Sequence, residues 1–281
     1  MELLPRVLLF VPGNREDRIR KAMELPCEGI ILDLEDSVPY EEKGRAREIV
    51  SSYVRPDLWE GKFLFVRINH PDTGLLEDEL SSVLKEGLFG ITIPKINSPE
   101  EIKLIDEKIK GFDVKFLPWV ESPEGVMRTY EIGKASDKVV GIAFGADDYL
   151  LSTGGERSED GLELLFPRAY MAMMARACGV MPYDTPYVNY RDTEGLKKET
   201  ILIKKLGFYG KMLIHPSQIE PVKEILKPSP EEVERARRIV EAYMDVMKRG
   251  SGVAVVDGIA VDRPIFERAK KIIGGEYVDK G

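Results

Sequence analysis

The sequence predicts an α/β fold: a (β/α)8 TIM barrel with a C-terminal helix plus β-hairpin extension. Three observations carry that prediction. Eight short β-rich runs recur along the chain with helical segments between them. Most of these runs are continuously apolar rather than alternating, the pattern of strands buried on both faces of a parallel sheet. After the eighth run the rhythm changes to a long charged helix followed by a hairpin signal.

The runs are Val7–Val11, Gly29–Leu34, Phe63–Ile68, Gly90–Pro94, Val114–Val120, Val139–Phe144, a weaker Val180–Val188, and Lys211–Ile214. Helix starts are marked at Ser98-Pro99-Glu100-Glu101 and Ser122-Pro123-Glu124, where a capping residue precedes a first-turn proline and early acids. Leu162–Ala177 is apolar on much of its surface, so a well-buried helix is expected, with Met171, Met173 and Met174 as core packing. An open doubly wound sheet is the rival fold. It would normally carry G-x-G-x-x-G after its first strand, and the turn here reads Val11-Pro12-Gly13-Asn14-Arg15. Walker A, H-E-x-x-H and G-x-S-x-G patterns do not occur either.

Lys227-Pro228-Ser229-Pro230 marks the expected boundary between a barrel domain, residues 1–227, and an extension, residues 228–281. In the extension, Glu231–Arg249 reads as an amphipathic helix. Asp257-Gly258 between the apolar arms of Val253–Val261 reads as a hairpin turn, and Arg263 onward as a helix. Small appendages on barrels often cover an active site or meet a neighbour.

Composition narrows the function. The chain has 281 residues, 43% hydrophobic and 32% charged, enough to bury a large core. Its net charge of −8 gives no electrostatic reason to bind nucleic acid or anionic lipid. Two cysteines, Cys27 and Cys178, cannot build a disulfide framework and suit a reducing compartment. A basic leader with a long apolar stretch is missing, and so is any run of spanning length, so a cytoplasmic protein is expected. Gln218 is the sole glutamine, and the asparagines are Asn14, Asn69, Asn97 and Asn189. Scarce amides beside abundant charge fit a thermophile, although compositional drift gives the same pattern.

Residues just past the C-terminal ends of barrel strands face one shared mouth. Here those positions hold Asp33, Glu35 and Asp36, Arg67 and Asn69, Lys95, Glu121, Asp147 and Asp148, and His215. Glu121 and Asp148 follow neighbouring strands, about 4.8 Å apart in a sheet. Two hard oxygen ligands with room left over suit Mg2+; the alternative is that each acid caps a helix. Arg67, after an apolar strand, needs an anion. A substrate carboxylate would match it bidentately, a structural pair with Glu35 or Asp36 is the other reading, and both could hold. Glu35 and Asp36 are catalytic candidates with Arg67. Lys95 invites a Schiff-base reading, but an acid-rich mouth would keep it protonated as a fixed charge for substrate. His215 is either a general base or a hydrogen-bonded support. His70 is expected to be loop structure, and the two cysteines buried and inert.

These residues resemble a known family: the β subunit of citrate lyase and its free-standing relatives, the malyl-CoA and citramalyl-CoA lyases. The resemblance lies in Leu8–Gly13, Leu32–Val38, Val66–Asn69, Ile93–Lys95, Glu121–Pro123, Phe144–Asp148 and Ile214–Ile219, in order over nearly the whole chain. It implies a TIM barrel assembled as a homotrimer or dimer of trimers. It implies Mg2+ on Glu121 and Asp148, and Arg67 on the substrate's carboxylate or oxo group. The family's acidic pair usually begins with Glu, so Asp147 departs from it. The full lyases carry a hairpin lid ending in an Asp before Met-Pro or Arg-Pro. The corresponding stretch is Val261-Asp262-Arg263-Pro264, which implies that Asp262 is an acid/base working in an adjacent subunit; a helix cap is the alternative.

The resemblance further implies reversible cleavage of a 3-hydroxyacyl-CoA, such as malyl-CoA or citramalyl-CoA, to acetyl-CoA and a 2-oxo acid. Asn14, Arg15 and Arg18 are the expected contacts to CoA phosphates. Two other readings stay open: a citryl-carrier-protein lyase subunit dependent on partner proteins, and a non-catalytic ligand-binding barrel.

Overall fold

A computed structural model describes residues 4–250 and 252–278, with side chains described through residue 274. Eight parallel strands close into a barrel in sequence order, β1 pairing with β8. The strands are β1 (Val7–Pro12), β2 (Gly29–Asp33), β3 (Phe63–Arg67), β4 (Gly90–Ile93), β5 (Lys115–Val120), β6 (Gly141–Phe144), β7 (Met181–Asp184) and β8 (Gly210–Leu213). The helices among them are α1 (Glu16–Met23), α2 (Lys43–Tyr53), α3 (Leu76–Val83), α4 (Pro99–Lys108), α5 (Pro123–Met127), α6 (Thr129–Gly133), α7 (Ala146–Thr153), α8 (Leu162–Cys178), α9 (Thr193–Leu206) and α10 (Ile219–Leu226).

Alternation along each strand builds two apolar layers. In β1, Val7, Leu9 and Val11 pack outward among the helices. Leu8 and Phe10 join Ile31, Phe65, Leu117, Trp119, Tyr183 and Met212 in a separate cluster that fills the barrel interior. Because the centre is packed, chemistry is confined to the strand ends. The helix signals act as expected: Ser98 and Glu101 form a capping box on α4, and Ser122 accepts the Gly125 amide at the start of α5.

Three local expectations need correction. β7 covers Met181–Asp184 rather than the longer Val180–Val188, because the chain leaves the sheet at Thr185-Pro186. Helix α8 is not buried all round: Leu164, Met171 and Ala172 face inward, while Leu162, Phe166 and Met173 are exposed. Met173 is therefore not core packing, since it faces away from Met171 on the helix. Cys27 and Cys178 are buried free thiols, and burial pushes Cys27 up to about 11.

The chain divides into two compact units, Met1–Leu226 and Lys227–Gly281. The second contains α11 (Pro230–Lys248), the antiparallel pair β9 (Ala254–Val256) and β10 (Ile259–Val261), and α12 (Arg263–Val278). Ser229 and Glu232 cap α11 reciprocally. Asp257 and Gly258 both take positive φ, 52° and 76°, as a two-residue hairpin turn requires. Tyr243 stacks on Phe266 at 4.5 Å to give this unit its own small core. Among the described residues no helix is long and apolar enough to cross a membrane.

Candidate active site

The mouth is organised by a carboxylate that the sequence reading left without a role. Asp33, 1% exposed, ends β2 directly beside Arg67, its register partner at the end of β3. Arg67 grips it with Nε–Oδ1 at 2.6 Å and Nη2–Oδ2 at 2.8 Å. The same carboxylate accepts the amides of Glu35 and Ser37 and the Ser37 hydroxyl, so it also shapes the loop after β2. Burial works against the Asp33 charge, yet Arg67 outweighs it and holds the carboxyl below its usual range.

Arg67 Nη1 lies 2.9 Å from Glu35 and 3.9 Å from Asp36. Its guanidinium also sits over the Phe10 ring at 4.7 Å. The expected structural pair therefore exists, but its bidentate member is Asp33, because side chains at partnered positions of adjacent parallel strands point the same way. Nε and Nη2 are committed to Asp33, so Arg67 meets the mouth as an oriented charge.

Lys95 takes a left-handed conformation, φ 57°, two residues past the end of β4. That conformation is rare for a residue with a Cβ and is held where the surroundings enforce it. Its Nζ reaches Glu35 at 2.6 Å and Asp36 at 3.4 Å. Burial would lower its pKa, but the Glu35 hydrogen bond and the charges of Glu35, Asp36 and Glu121 raise it. A lysine so held stays an ammonium and is a poor Schiff-base nucleophile. Burial raises Glu35, with Arg67 and Lys95 opposing the rise.

Glu121, 5% exposed, leaves the end of β5, and Asp148 lies in the first turn of α7. Together with Lys95, Asn97 and Ser122 they line a cavity of about 380 Å3. Gly145 makes room for this: a Cβ there would stand 2.5 Å from Glu121 Cγ. Burial first, then the hydrogen bond with Asp148 and the charges of Glu35 and Asp148, push Glu121 up to about 8. A buried carboxyl, Glu121, beside a half-buried one, Asp148, with Arg67 already spent on Asp33, forms a donor set that a cation would relieve. Among the described residues no group of three or more His, Cys, Asp or Glu could hold a metal. Two acids fit an ion that retains water and substrate ligands, as Mg2+ does.

The remaining expected residues lie elsewhere. Asp147 is outside the cavity lining and pairs with Arg157 at 2.7 Å, since successive helical residues point about 100° apart. Asn14 donates to Glu42, Arg15 pairs with Asp17, and Arg18 is exposed on α1. Asp262 belongs to the second unit, is exposed, and accepts the Ile265 amide at the start of α12. His70 accepts the Asp72 amide in its loop; His215 accepts the Ser217 amide and stacks on Tyr190.

The chain is similar to known proteins along almost all its length. Residues 6–216 match the HpcH/HpaI aldolase/citrate lyase family. The citrate lyase subunit beta of Haemophilus influenzae is 37% identical, over 96% of both chains. The mitochondrial citramalyl-CoA lyase of Homo sapiens is 31% identical, over 95% of this chain and 84% of that one. A crystal structure of the protein CitE from Mycobacterium tuberculosis, in complex with magnesium, acetoacetate and coenzyme A, superposes with a TM-score of 0.82. It is 26% identical and covers 98% of both chains.

Proposed function

This chain belongs to the HpcH/HpaI aldolase/citrate lyase family, and from that membership we propose that it is a Mg2+-dependent carbon–carbon lyase. In this reading it cleaves a 3-hydroxyacyl-CoA, such as citramalyl-CoA or malyl-CoA, reversibly to acetyl-CoA and a 2-oxo acid. The observation that carries the reading is the pair of buried Glu121 and half-buried Asp148 lining one cavity with Lys95. The magnesium, coenzyme A and acetoacetate bound by the similar CitE structure support it.

Glu121 and Asp148 would hold the ion. When bound, Mg2+ supplies a Lewis acid for the oxygens of the oxo-acid fragment. Lys95, kept protonated beside Glu35, offers Nζ to the substrate's carboxylate. Arg67, fixed by Asp33 and Glu35, adds positive field without having to reorganise. Glu35 and Asp36 orient these two cations. Asp262, contributed by a neighbouring copy in a homotrimer, carries a proton to or from the acetyl carbon. Asn14, Arg15 and Arg18 remain the proposed contacts for CoA phosphates, Asp147 acting only through Arg157.

A second reading is favoured by the 37% identity to a citrate lyase subunit beta: the thioester is carried by a protein rather than by CoA. Purified protein with Mg2+ and citramalyl-, malyl- or citryl-CoA decides between them, with acetyl-CoA release as readout. Turnover of a CoA thioester alone is the expected result. Turnover only with an acyl carrier protein would select the second reading. Absence of turnover with all of these would leave a ligand-binding barrel.

A further inference from the structure

The barrel unit contains a cavity larger than the one at Glu121. It measures about 630 Å3 and shares no lining residue with the 380 Å3 site. Its size falls in the range of small-molecule pockets. Under it lies a buried network in which Arg168 meets Asp184 at 2.8 Å and Glu199 at 2.8 Å. Lys211 closes the network on the same two acids at 2.6 and 2.7 Å. Two cations and two anions are thereby neutralised.

The network leaves one donor over. Arg168 is fully buried and uses Nε and Nη2, whereas its Nη1 is buried with no partner. That nitrogen lies just behind Gly161, another lining residue: a Cβ built on this glycine would stand 3.7 Å from it. A second donor is left over at Arg157, also in the lining, whose Nε binds Asp147 and whose Nη2 is buried and unpartnered. Buried guanidinium N–H groups without acceptors are costly, so each calls for an acceptor.

Among the described residues, five of the six acids of the lining are engaged, Glu163 by Ser158 and Glu194 by Lys197 among them, and Glu159 alone is left over. Asp160 accepts from Ser158 and the Leu162 amide, Asp192 from Tyr187 and the Gly195 amide, and Glu199 from the two buried cations. What the cavity offers is donors, with Gly161 giving no side-chain cap to the 17-residue helix α8 that starts there. The surrounding carboxylates disfavour a dianion, and a planar acceptor matches a guanidinium edge.

We propose that this cavity is a second ligand site, for a small organic monocarboxylate received by Nη1 of Arg168 and Nη2 of Arg157. It is independent of the reaction assigned to the Glu121 cavity. The test is a 19F NMR titration of the full chain with trifluoroacetate in EDTA buffer, so that no ion occupies the Glu121–Asp148 pair. A saturable response is expected. Val188→Trp, at an exposed lining position, should fill the cavity without disturbing the fold, and Arg157→Gln should remove a donor. Each should weaken binding by about tenfold or more, the usual scale for losing a charged hydrogen bond. Glu121→Gln should bind as the parent does, and equimolar inorganic phosphate should fail to displace the probe. Absence of saturation overturns the proposal. So does unchanged affinity in both cavity variants, loss of binding in Glu121→Gln, or displacement by phosphate.

Discussion

Arg67 holds Asp33 through two parallel hydrogen bonds, 2.6 and 2.8 Å long, across adjacent strand ends. The pair is almost wholly inside the protein, so it is structural before it is catalytic. Arg67→Ala would leave a buried carboxylate uncompensated and should lower stability by about 3–5 kcal/mol. Urea unfolding measures this. A loss under about 1 kcal/mol, the value of an exposed pair, would show that Asp33 does not depend on Arg67.

Glu121 is expected to trade stability for ion binding. Its folded pKa of about 8 stands above its ordinary 4.5, because it is buried and touches Asp148. The folded state thus keeps a proton that the unfolded chain has released. Its contribution is most favourable below about pH 4.5 and is lost as pH rises through about 8. In metal-free buffer Glu121→Gln should therefore melt higher than the parent, with the gap widening from pH 5 to pH 8. Added Mg2+ should raise the melting temperature of the parent alone. Equal pH profiles for the two proteins would contradict the burial of Glu121 beside Asp148.

Lys95 combines a strained backbone with a placed charge. Both Lys95→Ala and Lys95→Gly should abolish most turnover by removing Nζ. They should differ in stability: glycine accepts φ 57° freely, whereas alanine retains a left-handed cost of about 1–2 kcal/mol. Denaturation of the two variants side by side gives that difference. An alanine variant at least as stable as the glycine one would refute the strain.

Asp262 caps α12 through the Ile265 amide, and a cap does not need a charge. Asn caps as well as Asp, while Ala costs about 0.5–2 kcal/mol. Asp262→Asn should therefore fold normally, bind substrate and lose turnover. If the residue acts in a neighbouring copy, mixing that variant with Glu121→Gln protein should restore part of the activity. Failure to recover activity after demonstrated subunit exchange would place Asp262 outside the shared site.

The strands were readable because a parallel barrel buries both faces and leaves uninterrupted apolar runs such as Gly29–Leu32. The Asp257-Gly258 turn was readable because positive φ at both positions restricts the residue types. The Asp33–Arg67 clamp was hidden because it depends on register between strands 34 residues apart in sequence. The sequence placed Asp147 and Asp148 side by side at the mouth, and the helical turn sends the first to Arg157 and the second to the cavity. The buried Arg168–Asp184–Glu199–Lys211 network left a faint trace, a cation inside an apolar helix and another inside an apolar strand. On α8, apolar composition alone did not reveal that Leu162, Phe166 and Met173 share an uncovered face.

Glu121 and Asp148 are proposed to hold jointly a divalent ion against which a 2-oxo acid is released or joined. A crystal structure of the full chain grown with Mg2+ and pyruvate tests it most directly. The account predicts one Mg2+ about 2.0–2.1 Å from an oxygen of each carboxylate, with pyruvate and water completing an octahedron. An empty gap between the two acids, or an ion bound elsewhere in the mouth, would contradict it.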